Sequence, residues 1–129
     1  MSAIYLSASF GRRVELNGYR ADLLARGHVV TSSWLDVEAE GPETDWRAAC
    51  LTDKKDIRDA EVFIAFTDGE LGRGGKDWEL GFVTGGCSWT QVLIVGPRVH
   101  LGHWEKSMRH FATWAEALDW MEDEPKVAE

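Results

Sequence analysis

The sequence predicts a single α/β domain of three layers, with a parallel, flavodoxin-like or Rossmann-like sheet of about five strands. Apolar runs typical of buried strands alternate along the chain with segments whose apolar residues recur at helical spacing. One run, EVFIAFT at 61–67, is apolar on both faces, as are strands that helices cover on both sides. A chain of 129 residues can bury a core without disulfides or metal. We assign the domain to 1-122 and regard 123-129 as an acidic C-terminal tail.

The elements follow from local spacing and from the residues that end each run. In chain order we predict a strand at 3–7, a helix within 11–27, a strand at 28–34, a helix at 43–59, a strand at 61–67, a helix at 77–84, a strand at 91–96 and a helix at 113–122. Gly27 is expected to cap the first helix at its carboxyl end. The segment 97–110 is ambiguous.

Composition excludes several classes of protein. The net charge of −8 argues against a nucleic-acid surface, which needs a basic stripe. Two distant cysteines without CxxC spacing favour a reducing compartment, and no signal-peptide pattern or membrane-length apolar run is visible. We therefore expect a cytoplasmic protein that binds neither nucleic acid nor membrane. The histidines lack metal-ligand spacing and the glycines match no dinucleotide or Walker motif, so we predict no metal and no cofactor.

The stretch FTDGELGRGGKDWELG at 66–81 is the first candidate for a site. It joins a buried strand to a helix, where ligands bind at the carboxyl ends of a parallel sheet. Its glycines, Gly75 among them, let a sugar or phosphate approach the backbone. Glu79 is predicted at the second or third helical position, where the helix dipole keeps a carboxylate ionised. Alternatively, Asp77 and Glu79 merely cap the helix.

A second carboxylate lies on the helix before this strand. Apolar residues and one acid share a stripe that we expect to face the sheet: Trp46, Cys50, Asp53, Ile57 and Ala60. A carboxylate there is either held by a structural hydrogen bond or is an acid whose pKa burial has raised. Two carboxyl groups in different electrostatic settings are typical of chemistry at a glycosidic bond.

At these residues the sequence resembles the nucleoside 2-deoxyribosyltransferase superfamily, which also contains nucleotide N-glycoside hydrolases. The resemblance covers IYLSASF at 4–10 and the stretch from Asp53 through DIRDAEVFIAF to GGKDWELG, and more weakly VLIVG and FATWAEAL. It implies that Glu79 is the nucleophile, that Asp53 assists protonation of the base and that Tyr5 positions the nucleophile. Tyr5 alone could equally be a core residue. Members of the family assemble as dimers or larger oligomers in which a neighbour completes the pocket, so we expect a homo-oligomer, with 97–110 as a candidate contact.

One departure from the family pattern concerns the substrate. Arg73 stands six residues before Glu79, where the transferases tend to have an aspartate for the sugar 5′-hydroxyl and the monophosphate hydrolases a small hydroxyl residue. An arginine suits a phosphate, which it can grip with two donors, although it could also be a solvated loop residue. Ser7 and Ser9, with Arg12 and Arg13, could add donors at the adjoining helix start.

Two further residues are candidates for substrate binding. Asp68 could bind sugar hydroxyls or simply begin an Asx turn, and Trp34 could stack on a base or belong to the core. The expected activity is cleavage or transfer of the N-glycosidic bond of a nucleoside, a deoxynucleoside or a 5′-monophosphate, with that small molecule as partner. The alternatives are cleavage of a larger nucleotide such as NAD, and a binding protein without turnover.

Overall fold

Five strands form one parallel sheet in the order β2-β1-β3-β4-β5 in a computed structural model of the chain. The structure describes residues 1–38, 44–68, 75–87, 89–98, 103 and 108–123. The strands are β1 Ala3–Ser7, β2 Val29–Val30, β3 Val62–Phe66, β4 Gln91–Val95 and β5 Arg109–Phe111. The helices are α1 Arg13–Ala25, α2 Trp46–Arg58, α3 Gly75–Gly86 and α4 Trp114–Asp123. The predicted parallel α/β fold of about five strands is confirmed.

The strand order reverses direction at β1, whose neighbours are β2 and β3. The register pairs Ser7 with Ala65 and Phe66 with Val95, so β1, β3 and β4 end at one edge of the sheet. Ligands of such sheets bind at this edge, beside the point of reversal. None of the described helices is long and apolar enough to cross a membrane.

The sheet separates two apolar cores because successive strand residues point to opposite faces. One core contains Ile4 and Leu6 of β1 together with residues of α1 and α4. The other contains Tyr5 together with Ile57 of α2 and Leu80 of α3. Tyr5 therefore lies on the face of the sheet that α2 and α3 cover.

Several boundaries differ from the predictions. β2 contains only Val29–Val30, and a short 3₁₀ helix, Ser33–Asp36, follows it. α2 begins at Trp46, where the Asp45 carboxylate accepts a hydrogen bond from the Ala48 N–H at 3.0 Å. Gly27 does follow the end of α1 and has a φ of 85°. The tail at 124–129 lies outside the described residues.

The predicted stripe on α2 is wrong at its amino-terminal end. Trp46 is 56% exposed, whereas Ile57 and Ala60 are buried. α2 thus reaches the core with its carboxyl-terminal half, and the four-three spacing continues past the point where the core ends. The buried acid of α2 is Asp56, and Asp53 is half-buried.

Candidate active site

A buried carboxylate on α3 is held by two hydroxyl groups of β1. The Ser7 Oγ donates to Oε1 of Glu79 at 2.8 Å, and the Tyr5 phenol donates to Oε2 at 3.0 Å. Tyr5 and Ser7 are fully buried, and Glu79 is 9% exposed. The two donors are two residues apart in a strand, so they project from the same face and reach one residue of the helix above. Each carboxylate oxygen has its own donor, which fixes the orientation of the carboxyl plane.

The electrostatics of Glu79 differ from the prediction. Burial raises the pKa of the Glu79 carboxyl to about 8, with the negative charge of Asp53 as the next cause, and the hydrogen bonds from Ser7 and Tyr5 oppose the rise. The predicted ionisation at neutral pH was wrong because burial and Asp53 favour the protonated carboxyl. In addition, α3 begins at Gly75, so Glu79 is its fifth residue and lies beyond the unpaired N–H groups.

Glu79 and Asp53 form an interacting pair across α3 and α2. A hydrogen bond between their carboxyl groups also contributes to the raised pKa of Glu79. Two carboxyl groups in contact tend to share one proton, because ionising both would bring like charges together where one of them is buried. The prediction brought these two residues together from positions 26 apart in the sequence. The pair can supply a carboxylate and an acid at neutral pH.

Tyr5 is held by packing as well as by its hydrogen bond. Its ring stacks on Phe63 of β3, with centroids 5.4 Å apart and planes inclined by 8°. Burial, followed by the charges of Glu79 and Asp53, raises the pKa of the phenol well above its ordinary value. Tyr5 therefore remains a proton-bearing donor to Glu79 throughout the physiological pH range.

Trp34 lies beside β1, anchored by its own ring nitrogen. The indole N–H donates to the Leu6 carbonyl at 2.8 Å, and the ring is tilted against Phe10. The preceding residue, Ser33, donates its N–H and its hydroxyl to Oδ2 of Asp56, at 3.0 and 2.6 Å. Sequence reasoning missed Asp56, which fastens the 3₁₀ helix to α2. Stacking of a base on Trp34 stays a prediction.

A charged cluster lies where β1 and β3 end. We call it the Asp68 cluster, and its members are Ser9, Arg12, Asp68 and Lys76. Arg12 Nη1 donates to Oδ1 of Asp68 at 2.9 Å, and the Ser9 hydroxyl donates to Oδ2 at 3.1 Å. Lys76 was not singled out from the sequence, although its place one helical turn before Glu79 puts both on one face of α3.

The other predicted substrate ligands are placed differently. Arg73 lies outside the described residues, and Gly75 is the first residue of α3. Arg13 binds the Leu35 carbonyl at 3.2 Å, on the side of β2 rather than in the Asp68 cluster. Within the described part of the chain, no three histidine, cysteine or acidic side chains are grouped as a metal site requires.

The fold and this site define an α/β domain in which a buried carboxyl group, paired with a half-buried one, lies beside the switch in strand order. No family model and no curated protein matches the chain. Among solved structures it is similar to the CMP N-glycosidase BcmB of Clostridium botulinum, with 15% identity and a TM-score of 0.64 over 93% of this chain and 98% of that chain.

Two further solved structures have the same fold. A 2-deoxyribosyltransferase from Bacillus psychrosaccharolyticus is 20% identical, with a TM-score of 0.63 over 91% of this chain and 90% of that chain. A conserved protein from Enterococcus faecalis V583 is 12% identical, with a TM-score of 0.73 over 95% and 98%. The first two neighbours belong to the nucleoside 2-deoxyribosyltransferase superfamily, which the sequence resembles. At these identities the likeness establishes the fold.

Proposed function

We propose that the protein cleaves or transfers the N-glycosidic bond of a nucleoside or a nucleoside 5′-monophosphate, with Glu79 as the nucleophile. The observation that carries this proposal is the buried Glu79 carboxyl, gripped by Ser7 and Tyr5 and paired with Asp53. A structural carboxylate would not need a second acid against it, because the repulsion between the two is destabilising. Two carboxyl groups that share a proton supply both a nucleophile and an acid.

In the proposed reaction an oxygen of Glu79 attacks the anomeric carbon as the bond from that carbon to the base nitrogen breaks. The bonding electrons leave with the base, which takes the proton of Asp53. For this step the proton of the pair has to lie on Asp53 and Glu79 has to be ionised, and the hydrogen bonds that Ser7 and Tyr5 donate favour the charged form of Glu79 against the effect of burial. The product of this step is a glycosyl ester on Glu79 and a free base.

The second step releases the sugar. Water, or the nitrogen of a second base, attacks the anomeric carbon, and the ester oxygen returns to Glu79 as a carboxylate. The proton of the attacking group passes to Asp53, so the pair regains its starting state. Hydrolysis and transfer thus use the same residues and differ in how well water is excluded from the ester.

The solved neighbours support this chemistry. One is a CMP N-glycosidase and another is a 2-deoxyribosyltransferase, and both have the fold of this chain. A nucleoside monophosphate is the substrate named for the first. We propose that this protein acts on the same class of bond, with Arg73 as a candidate ligand of the 5′ substituent.

We also propose that the protein acts as a homo-oligomer. Large apolar side chains are exposed on α2 and α3, with Trp46 at 56%, Leu51 at 62% and Trp78 at 46%, and Trp78 is the neighbour of Glu79 in the chain. A second copy packed against α2 and α3 would bury side chains of this kind. Light scattering on the purified protein tests this, and a monomeric mass at micromolar concentration would contradict it.

The activity is tested by chromatographic detection of free base. Four ribonucleosides and four deoxynucleosides would be supplied, each with and without a 5′-phosphate and with and without a second base. We expect wild-type protein to release base from at least one of them, and Glu79→Gln to lose orders of magnitude in rate. Glu38→Gln, at an exposed position, is the matched control. Equal rates of base release by wild type and Glu79→Gln would refute the assignment of Glu79 as the nucleophile.

A further inference from the structure

Lys76 is a buried cation beside the candidate active site. Its side chain is 6% exposed, although lysine is rarely buried, because an ammonium group loses its hydration there. Among the described residues its Nζ contacts the Ser9 hydroxyl at 3.4 Å and Oδ2 of Asp68 at 3.5 Å. Both distances are long for charge-assisted contacts. The ammonium is therefore loosely held, with hydrogen-bonding capacity for a further acceptor.

Asp68 serves the cluster as an internal counter-ion. Its Oδ1 accepts from Arg12, and its Oδ2 accepts from Ser9 and faces Lys76. Both carboxylate oxygens are thus engaged by the protein, which leaves little capacity for a sugar hydroxyl. Asp68 instead stabilises two cations where β1 and β3 end.

The charge left for a ligand is that of Lys76. Arg12 uses Nη1 for Asp68 and the Thr67 carbonyl, and it uses Nε and Nη2 for a two-point contact with Glu15 at 2.9 and 2.7 Å. Arg12 therefore forms ion pairs with both Asp68 and Glu15. The ion pair of Lys76 with Asp68 is long, at 3.5 Å, and Arg12 already neutralises Asp68 in part.

Lys76 and Glu79 project from one face of α3 towards β1. They are three residues apart on α3, so their side chains lie on one face, with Cβ atoms about 5 to 6 Å apart. Ser7 and Ser9 repeat this arrangement on the opposite side, Ser7 contacting Glu79 and Ser9 contacting Lys76. A pentose carries its base on the anomeric carbon and its 5′ substituent across the ring oxygen. With the anomeric carbon at Glu79, the 5′ substituent comes to Lys76.

We propose that Lys76, with the Ser9 hydroxyl, binds an anionic 5′ substituent of the sugar, and that 5′-phosphorylated compounds are therefore the preferred substrate class. Asp68 and Arg12 position Lys76 without contacting the ligand. This inference rests on the proposed function for the location of the anomeric carbon. The binding of the anion itself does not depend on turnover.

The proposal is tested by calorimetric binding of ribose 5-phosphate, with ribose and inorganic phosphate as reference probes. We expect wild-type protein to bind ribose 5-phosphate at least about tenfold more tightly than ribose, and Lys76→Met to lose about 10- to 100-fold of that affinity without a change for ribose. Lys55→Met removes an exposed lysine from α2 and should bind like wild type. Unchanged binding in Lys76→Met, or equal binding of ribose and its phosphate by wild type, would overturn the proposal.

Two further variants keep the test decisive if Lys76→Met does not fold. Lys76→Arg retains the charge and should retain most of the affinity for ribose 5-phosphate, whereas Lys76→Gln keeps a polar end without the charge and should lose it. Failure of the glycosidic function would appear separately. In that case no base is released from any compound, yet binding of ribose 5-phosphate still depends on Lys76. Conversely, base release that is indifferent to both the 5′-phosphate and Lys76 would refute the anion site alone.

Discussion

The candidate nucleophile has a defined protonation partner and a defined orientation. Ser7 and Tyr5 donate to the two oxygens of Glu79, while Asp53 shares a proton with it. Burial makes each contact stronger than it would be in water, because the local dielectric constant is low. The same burial makes the fully ionised pair costly. In the proposed reaction Glu79 is charged before the attack and neutral as an ester after it. Its hydrogen bonds favour the first state, and its burial favours the second.

Removal of the Tyr5 hydroxyl tests the orientation of Glu79. Tyr5→Phe keeps the stacking on Phe63 but removes the donor to Oε2. We expect kcat/KM for base release to fall about 10- to 100-fold, since a hydrogen bond to a charged group contributes about 1.5 to 3 kcal/mol. Tyr5→Phe should also move the pH dependence of the rate upwards, because that hydrogen bond lowers the pKa of Glu79.

The chain offers a matched control for this prediction. Tyr19 donates to Glu15 at 2.6 Å, so Tyr19→Phe keeps the ring that stacks on Phe66 and removes a hydroxyl that contacts Glu15 rather than Glu79. It should leave kcat/KM within about twofold of wild type. If Tyr5→Phe and Tyr19→Phe had equal effects on the rate, the contact with Glu79 would have no role in orientation.

At the scale of elements, the site depends on two simple periodicities. Alternation along β1 brings Tyr5 and Ser7 to the face that α3 covers, and helical spacing brings Lys76 and Glu79 to one face of α3. Both periodicities are present in the sequence, but Tyr5 was proposed from the family resemblance and Ser7 as a donor at the adjoining helix start. Lys76 was overlooked because a lysine beside glycines is usually solvated, and only its burial distinguishes it.

The edge of the sheet also requires one particular glycine. Gly96 ends β4 with a φ of 115°, and a Cβ at this position would lie 2.7 Å from Oγ1 and 2.8 Å from the carbonyl oxygen of Thr67. We expect Gly96→Ala to reduce the free energy of unfolding by about 2 to 4 kcal/mol, from backbone strain and overlap together. Urea denaturation measures this.

Gly18→Ala provides the opposite expectation in the same assay. Gly18 lies within α1, and a Cβ there would meet no atom within 4 Å. The substitution should therefore raise the free energy of unfolding by about 0.5 to 1 kcal/mol. A Gly96→Ala protein as stable as wild type would show that the end of β4 does not need the left-handed conformation.

Where sequence reasoning failed, tertiary contacts decided the outcome. Trp46 continues the apolar spacing of α2, but the core does not extend that far. β2 contains only two residues because the chain turns into the 3₁₀ helix that Asp56 fastens. The ionisation of Glu79 was misjudged because its burial and its contact with Asp53 could not be derived from local spacing. The spacing of residues predicts which of them share a face of a helix or strand. Whether that face is buried, and where a helix begins, depends on the elements that pack against it.

For the whole molecule, the alternation of strands and helices was predictable because it depends on apolar runs, whereas the strand order was not predicted and β5 lies largely in the segment left ambiguous. α2 and α3 pack on the same face of the sheet, and this packing places Asp53 near Glu79. The two residues are far apart in the sequence, so their contact depends on the folded sheet. The site is therefore a product of the global fold, and its electrostatics should appear in the global stability.

The stability of the protein should fall as the pH rises from about 5 to about 8. The folded pKa of Glu79, about 8, lies above its ordinary value of 4.5, so the folded state binds the proton more tightly than the unfolded chain. This contribution to stability is complete below pH 4.5 and is lost as the pH rises through about 8. Glu79→Gln cannot ionise and should lack this dependence.

The comparison is made by thermal denaturation of wild type and Glu79→Gln at pH 5.5 and pH 8.5. We expect the Tm of the variant, relative to wild type, to be higher at pH 8.5 than at pH 5.5 by about 3 °C or more. Glu38→Gln, at an exposed position, should follow the wild type at both pH values. Parallel curves for wild type and Glu79→Gln would contradict the raised pKa.

The most direct test of the central claim is a search for the glycosyl ester on Glu79. A compound that releases base would be mixed with the protein, quenched with acid within milliseconds to seconds, and the digested protein mapped by mass spectrometry. We expect a pentosyl adduct on the peptide that contains Glu79, present in wild type and in Glu38→Gln and absent from Glu79→Gln. Base release at an undiminished rate by Glu79→Gln, or an adduct on another residue, would contradict the claim that Glu79 is the nucleophile.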